Sequence, residues 1–172
     1  NKDHAVIFPN GTTKCTEFDS GGWVKRFKGT KNNWVFVASW HQPNIDGILR
    51  LINGGLESFD AKQTKLWIFG SVVRPLSEFI KNHSKSNSVI QLIGESSDSE
   101  IAGAIQSSTG IILPIWQGGG SNLKTAQALI SGKYIISTNY AFRGYEQFIS
   151  SNGLKIIDEE ENFASQMLSE VY

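Results

Sequence analysis

The chain has 172 residues, 40% of them apolar, and its 16 basic and 16 acidic residues balance to zero net charge. This length suits one domain with a core that needs no metal or disulfide staple. Neutral charge without a Lys/Arg run argues against nucleic acid or an anionic membrane as the main partner. Cys15 is the only cysteine, which excludes an internal disulfide and favours a reducing, cytoplasmic setting. No apolar stretch reaches the ~18 residues of a spanning helix, and Asn1-Lys2-Asp3-His4 is no signal peptide. The N-x-S/T triplets at Asn10 and Asn82 read as chance occurrences.

In chain order, Ala5–Phe8 reads as a short strand closed by the turn Pro9-Asn10-Gly11. Thr12–Lys31 is polar and Gly-containing, a connection between bodies with an edge strand at Trp23–Phe27. Then short apolar runs alternate with helical patterns. The runs are Trp34–Ala38, Leu66–Phe69, Val89–Ile93, Ile111–Leu113, Tyr134–Ile136 and Leu154–Ile157, and near-continuous apolar strands suit a sheet covered on both faces. Between them, Ile45–Phe59 carries an apolar helical face, and Pro75 fits the first turn of a helix ending near Asn82. Ser97-Asp98-Ser99-Glu100 has the capping-box pattern, and further helices are expected over Asn122–Ile130, Phe142–Ser150 and Asn162–Val171. About five alternations predict an α/β fold, a doubly wound, mostly parallel Rossmann-like sheet, with ligands beyond the carboxyl ends of its strands.

The most informative stretch runs from Ile111 through Pro114, Gln117, Gly118-Gly119-Gly120 and Ser121-Asn122 to Lys124 and Gln127. It is a strand, a triple-glycine turn and a helix start. The unpaired N–H groups and about half a positive charge of a helix start attract anions, and glycines let a phosphate approach the backbone. Lys124 in the first turn leans back toward the same anion, and Gln127 follows three residues on along that face. The competing reading is a plain surface loop with a solvated lysine. The spacing fits neither a Walker A loop nor the G-x-G-x-x-G of a dinucleotide site, so the residues alone point to an anion site without specifying a reaction.

These residues resemble the donor-binding half of GT-B glycosyltransferases of the retaining group 1, or family 4, type. The matching features are G-G-G-S/T-x-L-K at Gly118–Lys124, Gln127-Ala128-Leu129 and Gly132-Lys133. Pro9-Asn10-Gly11, Phe36–Asn44 (compare F-V-G-S-x-H-x-P-N), Ile93-Gly94 with the Ser97–Glu100 cap, and Ser137-Thr138 with Arg143–Glu146 extend the match over nearly the whole chain. The resemblance implies that residues 1–31 are an interdomain linker and edge segment from the acceptor-side domain, and that 32–172 form a nucleotide-sugar-binding domain. It implies that Gly118, Gly119, Gly120, Ser121 and Asn122 contact phosphate or sugar and that Lys124 neutralises phosphate. Gln127 would meet the ribose, and backbone near Ile93 and Gly94 would hold the base. Catalytic candidates are Lys124, His41 and Arg143. No metal or other cofactor is implied, the donor being a nucleoside-diphosphate sugar. Expected partners are that donor and an N-terminal acceptor-binding domain of the same parent chain; nucleic acid is not one, and peripheral membrane contact would run through the parent chain.

Two departures from the family pattern stand out. Gln127 occupies the place of the ribose-binding Glu, and Ser39, Trp40 and His41 stand where many relatives carry Arg and Lys, leaving Lys124 with Arg143 or Arg74 for the cationic role. The implied activity is metal-independent, retaining sugar transfer to a glycan or lipid-linked acceptor, with this fragment inactive alone. The alternative is a non-catalytic glycosyltransferase-like binding or scaffold module. Other candidates have structural explanations. His4 and His83 read as solvated, Cys15 as a linker thiol without a positioned base, and Asp158–Glu161 as acid supplied to a helix start. Trp34, Trp67, Phe36 and Phe69 read as core. Glu146 stays open between sugar contact and pairing with a lysine, and Trp40 and Trp116 between pocket and packing.

Overall fold

The computed structural model describes residues 18, 20–82, 86–119 and 123–169. The expected strand Ala5–Phe8, the turn at Pro9–Gly11, His4, Cys15, His83, Gly120, Ser121 and Asn122 lie outside them.

The elements are α1 (Gly21–Phe27), β1 (Asn32–Val37), α2 (Gln42–Asn53), β2 (Thr64–Phe69), α3 (Val73–Asn82), α4 (Ser86–Val89), β3 (Ile90–Gly94), α5 (Asp98–Ser107), β4 (Gly110–Leu113), α6 (Leu123–Ser131), β5 (Tyr134–Ser137), β6 (Leu154–Ile156) and α7 (Glu160–Gln166). The six strands form one sheet in the order β3-β2-β1-β4-β5-β6, every pair parallel. All six expected strands from Trp34 onward are present.

Strand alternation sends side chains to two cores. Trp34, Phe36, Leu66, Ile68, Ile112 and Ile136 pack with α2, α3, α4 and α7 on one face. Val35, Trp67 and Phe69 meet α1 and α5 on the other, where Ile111, Leu113 and Ile135 meet α6. Burying each large apolar side chain contributes roughly 1.5–3 kcal/mol, so the sheet is held from both sides. α7 is fastened to the amino ends of the strands through the Met167 carbonyl, which accepts from Trp34 Nε1 at 2.8 Å and Asn32 Nδ2 at 3.2 Å.

Three expectations need correction. Trp23–Phe27 is helical rather than an edge strand: its two aromatic residues lie four apart, on one helical face, where Trp23 meets the sheet aromatic residues Trp67 and Phe69 edge-on and Phe27 meets Trp67. In a strand they would also share a face, so the aromatic spacing alone does not separate the two states. The helix expected over Phe142–Ser150 is two 3-10 turns, Tyr140–Phe142 and Glu146–Phe148, because Gly144 at φ +84° breaks the winding between them. The first long helix begins at Gln42, with Pro43 in its first turn, rather than at Ile45.

Candidate functional site

β1 and β4 lie side by side, and their chains leave the sheet toward opposite faces, β1 into α2 and β4 into α6. This divergence opens a crevice at the carboxyl ends of the strands, where ligands of open α/β sheets bind. A cleft of about 500 Å³ occupies it.

Each wall is built locally. On the β1 side, Asn44 is buried and its amide donates to the Ser39 carbonyl at 2.8 Å, while the Trp40 backbone N–H donates to Ser71 Oγ at 2.8 Å. These bonds fix the loop that carries Ser39 and His41 into the cleft. His41 is the residue before α2, has extended backbone, and makes no side-chain cap bond. On the β4 side, Gln117 Nε2 donates to Asp46 Oδ2 of α2 at 2.8 Å, and the same carboxylate accepts from Gln42 Nε2 at 2.7 Å. The Tyr140 hydroxyl donates to the Gly118 carbonyl, and Thr138 Oγ1 to the Ile115 carbonyl. Gln117 is therefore held from α2, and Ile115 and Gly118 from the segment after β5.

Lys124 and Gln127 reach the cleft from α6, and Arg143 from the segment after β5. Lys124 is half-buried, and loss of hydration pushes its pKa below the ordinary lysine value. Arg143 lies with its guanidinium 4.1 Å from the centre of the Tyr140 ring. Two cations of different elements thus face one cavity. Its lining carboxylate, Glu95, pairs with Arg74 at 2.9 Å on the exposed rim. A second hollow of about 450 Å³, floored by Val37, Ile111 and Leu113, shares Lys124 and Gln127 with the first.

Of the residues singled out in the sequence, His41, Gly118, Gly119, Lys124, Gln127 and Arg143 converge on the cleft. Ile93 and Gly94 end β3, two strands away from β1, and neither lines it, although the next residue, Glu95, does. Arg74 is drawn to Glu95 and does not line the cleft. Trp116 packs: its indole N–H donates to the Asp158 carbonyl at 2.6 Å and its ring meets Phe163 and Arg50. Trp40 is 70% exposed and does not line the cleft. Glu146 accepts from the Gly144 N–H at 2.9 Å, which holds its carboxyl below the usual range, and it stands off the cleft. Glu159 precedes α7 and Glu160 opens it, the helix-start role expected for that acidic run.

Pro43, Asp46, Ser71, Glu95 and Tyr140 complete or brace the site and were not among its expected residues. Pro43 and Ser71 follow strand ends, a positional signal available in the sequence. Asp46 and Tyr140 are 71 and 22 residues from the loop they hold, and nothing local announces them.

The architecture is that of a doubly wound, Rossmann-like α/β domain, one half of a GT-B fold. Residues 31–170 match the family described as "Glycosyl transferases group 1". The chain belongs to that family. Among solved structures it is similar to WaaG, a glycosyltransferase involved in lipopolysaccharide biosynthesis, with 15% identity and a TM-score of 0.69 over 96% of this chain and 47% of that one. It is also similar to the pneumococcal O-GlcNAc transferase GtfA, solved with UDP and GlcNAc, with 19% identity and a TM-score of 0.53 over 88% of this chain and 29% of that one. At these identities the likeness is one of fold. The chain spans less than half the length of either structure. No curated protein matches it. Among the described residues no helix is long and apolar enough to cross a membrane.

Proposed function

We propose that the chain is the donor-binding domain of a glycosyltransferase and holds a nucleoside-diphosphate sugar in the cleft between β1 and β4. The observation that carries this reading is the convergence of Lys124, Arg143 and the glycine loop at Gly118 and Gly119 on one cavity at the switch point of the sheet. A pyrophosphate needs positive charge and close backbone approach, and this wall supplies both.

In the transfer step an acceptor hydroxyl oxygen bonds to the anomeric carbon and gives up its proton, the bond from that carbon to the phosphate oxygen breaks, and the leaving nucleoside diphosphate gains negative charge. Cations already in place, on a partly desolvated wall, stabilise that charge without reorganising. Lys124 and Arg143 fill this role in a metal-independent reaction that retains anomeric configuration. Gln127 accepts a ribose hydroxyl, and the base lies toward the end of β3. The acceptor, a glycan or a lipid-linked saccharide, is read by a second domain of the parent chain across the cleft, so this domain binds the donor and transfers little alone. The lone Cys15 accords with a cytoplasmic setting.

Isothermal titration with UDP, GDP and their sugars tests the reading. Saturable binding that Lys124→Gln weakens is the expected result; no saturation up to millimolar nucleotide overturns it. Gln127 in place of a carboxylate, with Ser39, Trp40 and His41 in place of cations, favours a second reading, a non-catalytic module of glycosyltransferase fold. That reading is preferred if the parent chain binds no donor and Gln127→Glu restores neither binding nor transfer.

A further inference from the structure

The segment after β5 holds the glycine loop through hydroxyl groups. Thr138 Oγ1 donates to the Ile115 carbonyl, and the Tyr140 hydroxyl donates to the Gly118 carbonyl. From α6, the buried Thr125 Oγ1 donates to the Ala141 carbonyl at 2.6 Å. Loop, helix start and segment are tied into one unit. Tyr140 has a second contact, because the Arg143 guanidinium rests on its ring at 4.1 Å. A single side chain that does not itself line the cleft thus touches two of its walls.

The geometry gives both contacts a consequence for an anion. In a planar trans peptide the C=O and the following N–H point in opposite directions. Drawing the Gly118 carbonyl toward Tyr140 therefore turns the Gly119 N–H away from Tyr140. Gly118 has φ +133°, a conformation that side-chain-bearing residues rarely adopt, so the peptide depends on glycine and on this bond for its orientation. Tyrosine has only two side-chain torsions, and fixing its hydroxyl fixes the ring plane on which Arg143 lies. Ala141 and Phe142, the neighbours of Tyr140, are the fully buried residues that hold this segment to the sheet. Removing one oxygen from Tyr140 leaves that packing in place.

We infer that Tyr140 is a positioning residue: it couples the glycine loop to Arg143 so that both engage one pyrophosphate together. This rests on the nucleotide-sugar reading above and adds to it a residue that acts through two others. The coupling favours ligands with two linked phosphates, which span loop and guanidinium, over those with one.

The test is calorimetric titration of UDP, GDP, UMP and GMP into the wild type, Tyr140→Phe, Tyr140→Leu, Arg143→Ala and the Tyr140→Leu/Arg143→Ala double variant, with thermal unfolding measured alongside. Tyr140→Phe is expected to weaken diphosphate binding about fivefold, the size of one lost hydrogen bond, and to change monophosphate binding much less. Arg143→Ala is expected to cost less in the Tyr140→Leu background than in the wild type, which marks the two as one unit. Wild-type binding with an unchanged diphosphate preference in Tyr140→Phe overturns this inference alone, as do fully additive effects in the cycle. Absence of wild-type binding overturns the nucleotide reading and this inference with it. If Tyr140→Leu fails to fold, Tyr140→Phe decides the question by its di- to monophosphate ratio.

Discussion

Gly47 of α2 lies directly against the carbonyl oxygen of Pro114, so close that a β-carbon built on it would stand 1.9 Å from that oxygen. The helix that begins beside the cleft and the strand end that leads into the glycine loop are therefore in backbone contact. Asp46, the preceding residue, reaches across the same junction to Gln117. The helix thus sets the position of the loop through the one residue type that allows this approach.

Gly47→Ala should show that relationship directly. Alanine favours the helix interior by about 1 kcal/mol, but the overlap with a backbone oxygen has no flexible side chain to absorb it. Net destabilisation of about 1–3 kcal/mol is expected from displacing α2. The measurement is denaturant unfolding together with nucleotide titration: both stability and affinity should fall. A variant as stable as the wild type would mean that the two segments are not in contact as described.

The pH dependence of binding follows from Lys124. Burial lowers its pKa from the ordinary 10.5, so in the folded, ligand-free protein it gives up its proton at lower pH than an exposed lysine. Below that lowered pKa the fold bears the penalty of a partly buried charge. The penalty lifts as pH rises from the folded value toward the unfolded one, so Lys124 contributes a rise in stability with pH across that window. Binding runs the other way. Diphosphate affinity should decline as pH climbs through the lowered pKa, because the cation that meets the phosphate is lost. Lys124→Arg keeps its charge throughout and should flatten the profile. Titrations from about pH 7 to about pH 10 check this; identical profiles for both proteins would remove Lys124 from the phosphate site.

Trp34→Phe tests the fastening of α7. The ring is fully buried and its N–H meets the Met167 carbonyl at 2.8 Å, a carbonyl that also accepts from Asn32. Phenylalanine removes that donor and leaves a smaller ring in a close-packed core. The combined loss is about 2–3 kcal/mol, or roughly 4–12 °C in melting temperature for a chain of this size. Nucleotide affinity should change little, since Trp34 does not line the cleft.

The sheet was legible because its strands are buried on both faces and so read as unbroken apolar runs, which local pattern alone can register. The start of α5 was legible for a different reason. Ser97 and Glu100 satisfy each other's backbone N–H groups within four residues, and the structure has the full capping box. Ser97→Ala should cost about 1 kcal/mol in thermal unfolding. Elements whose state depends on distant partners were harder to read. Trp23 and Phe27 suit strand or helix until Trp67 and Phe69 are placed beneath them. The site divides in the same way. The loop, Lys124 and Gln127 are contiguous and announce themselves, whereas Asp46 and Tyr140 act on the loop only after the strand order brings α2 and the end of β5 beside it.

Gln127 offers the most direct chemical test of the ribose assignment. It is exposed on α6 and lines the cleft one turn beyond Lys124, at the place where the family pattern has Glu. An amide offers one acceptor oxygen, while a carboxylate offers two charged ones and makes hydrogen bonds about twice as strong. For a ribose with vicinal hydroxyls, Gln127→Glu should therefore gain about 1 kcal/mol, near fivefold in affinity. The negative charge it adds lies close to Lys124 and to the bound phosphates, so part of that gain is offset, and salt will move the balance. Titrating UDP and GDP beside their 2′,3′-dideoxy forms isolates the sugar contact. The gain should appear only with the ribose forms, and the dideoxy forms should bind Gln127→Glu no better than the wild type. Equal changes for both forms would place Gln127 away from the ribose and leave its amide a surface feature of α6.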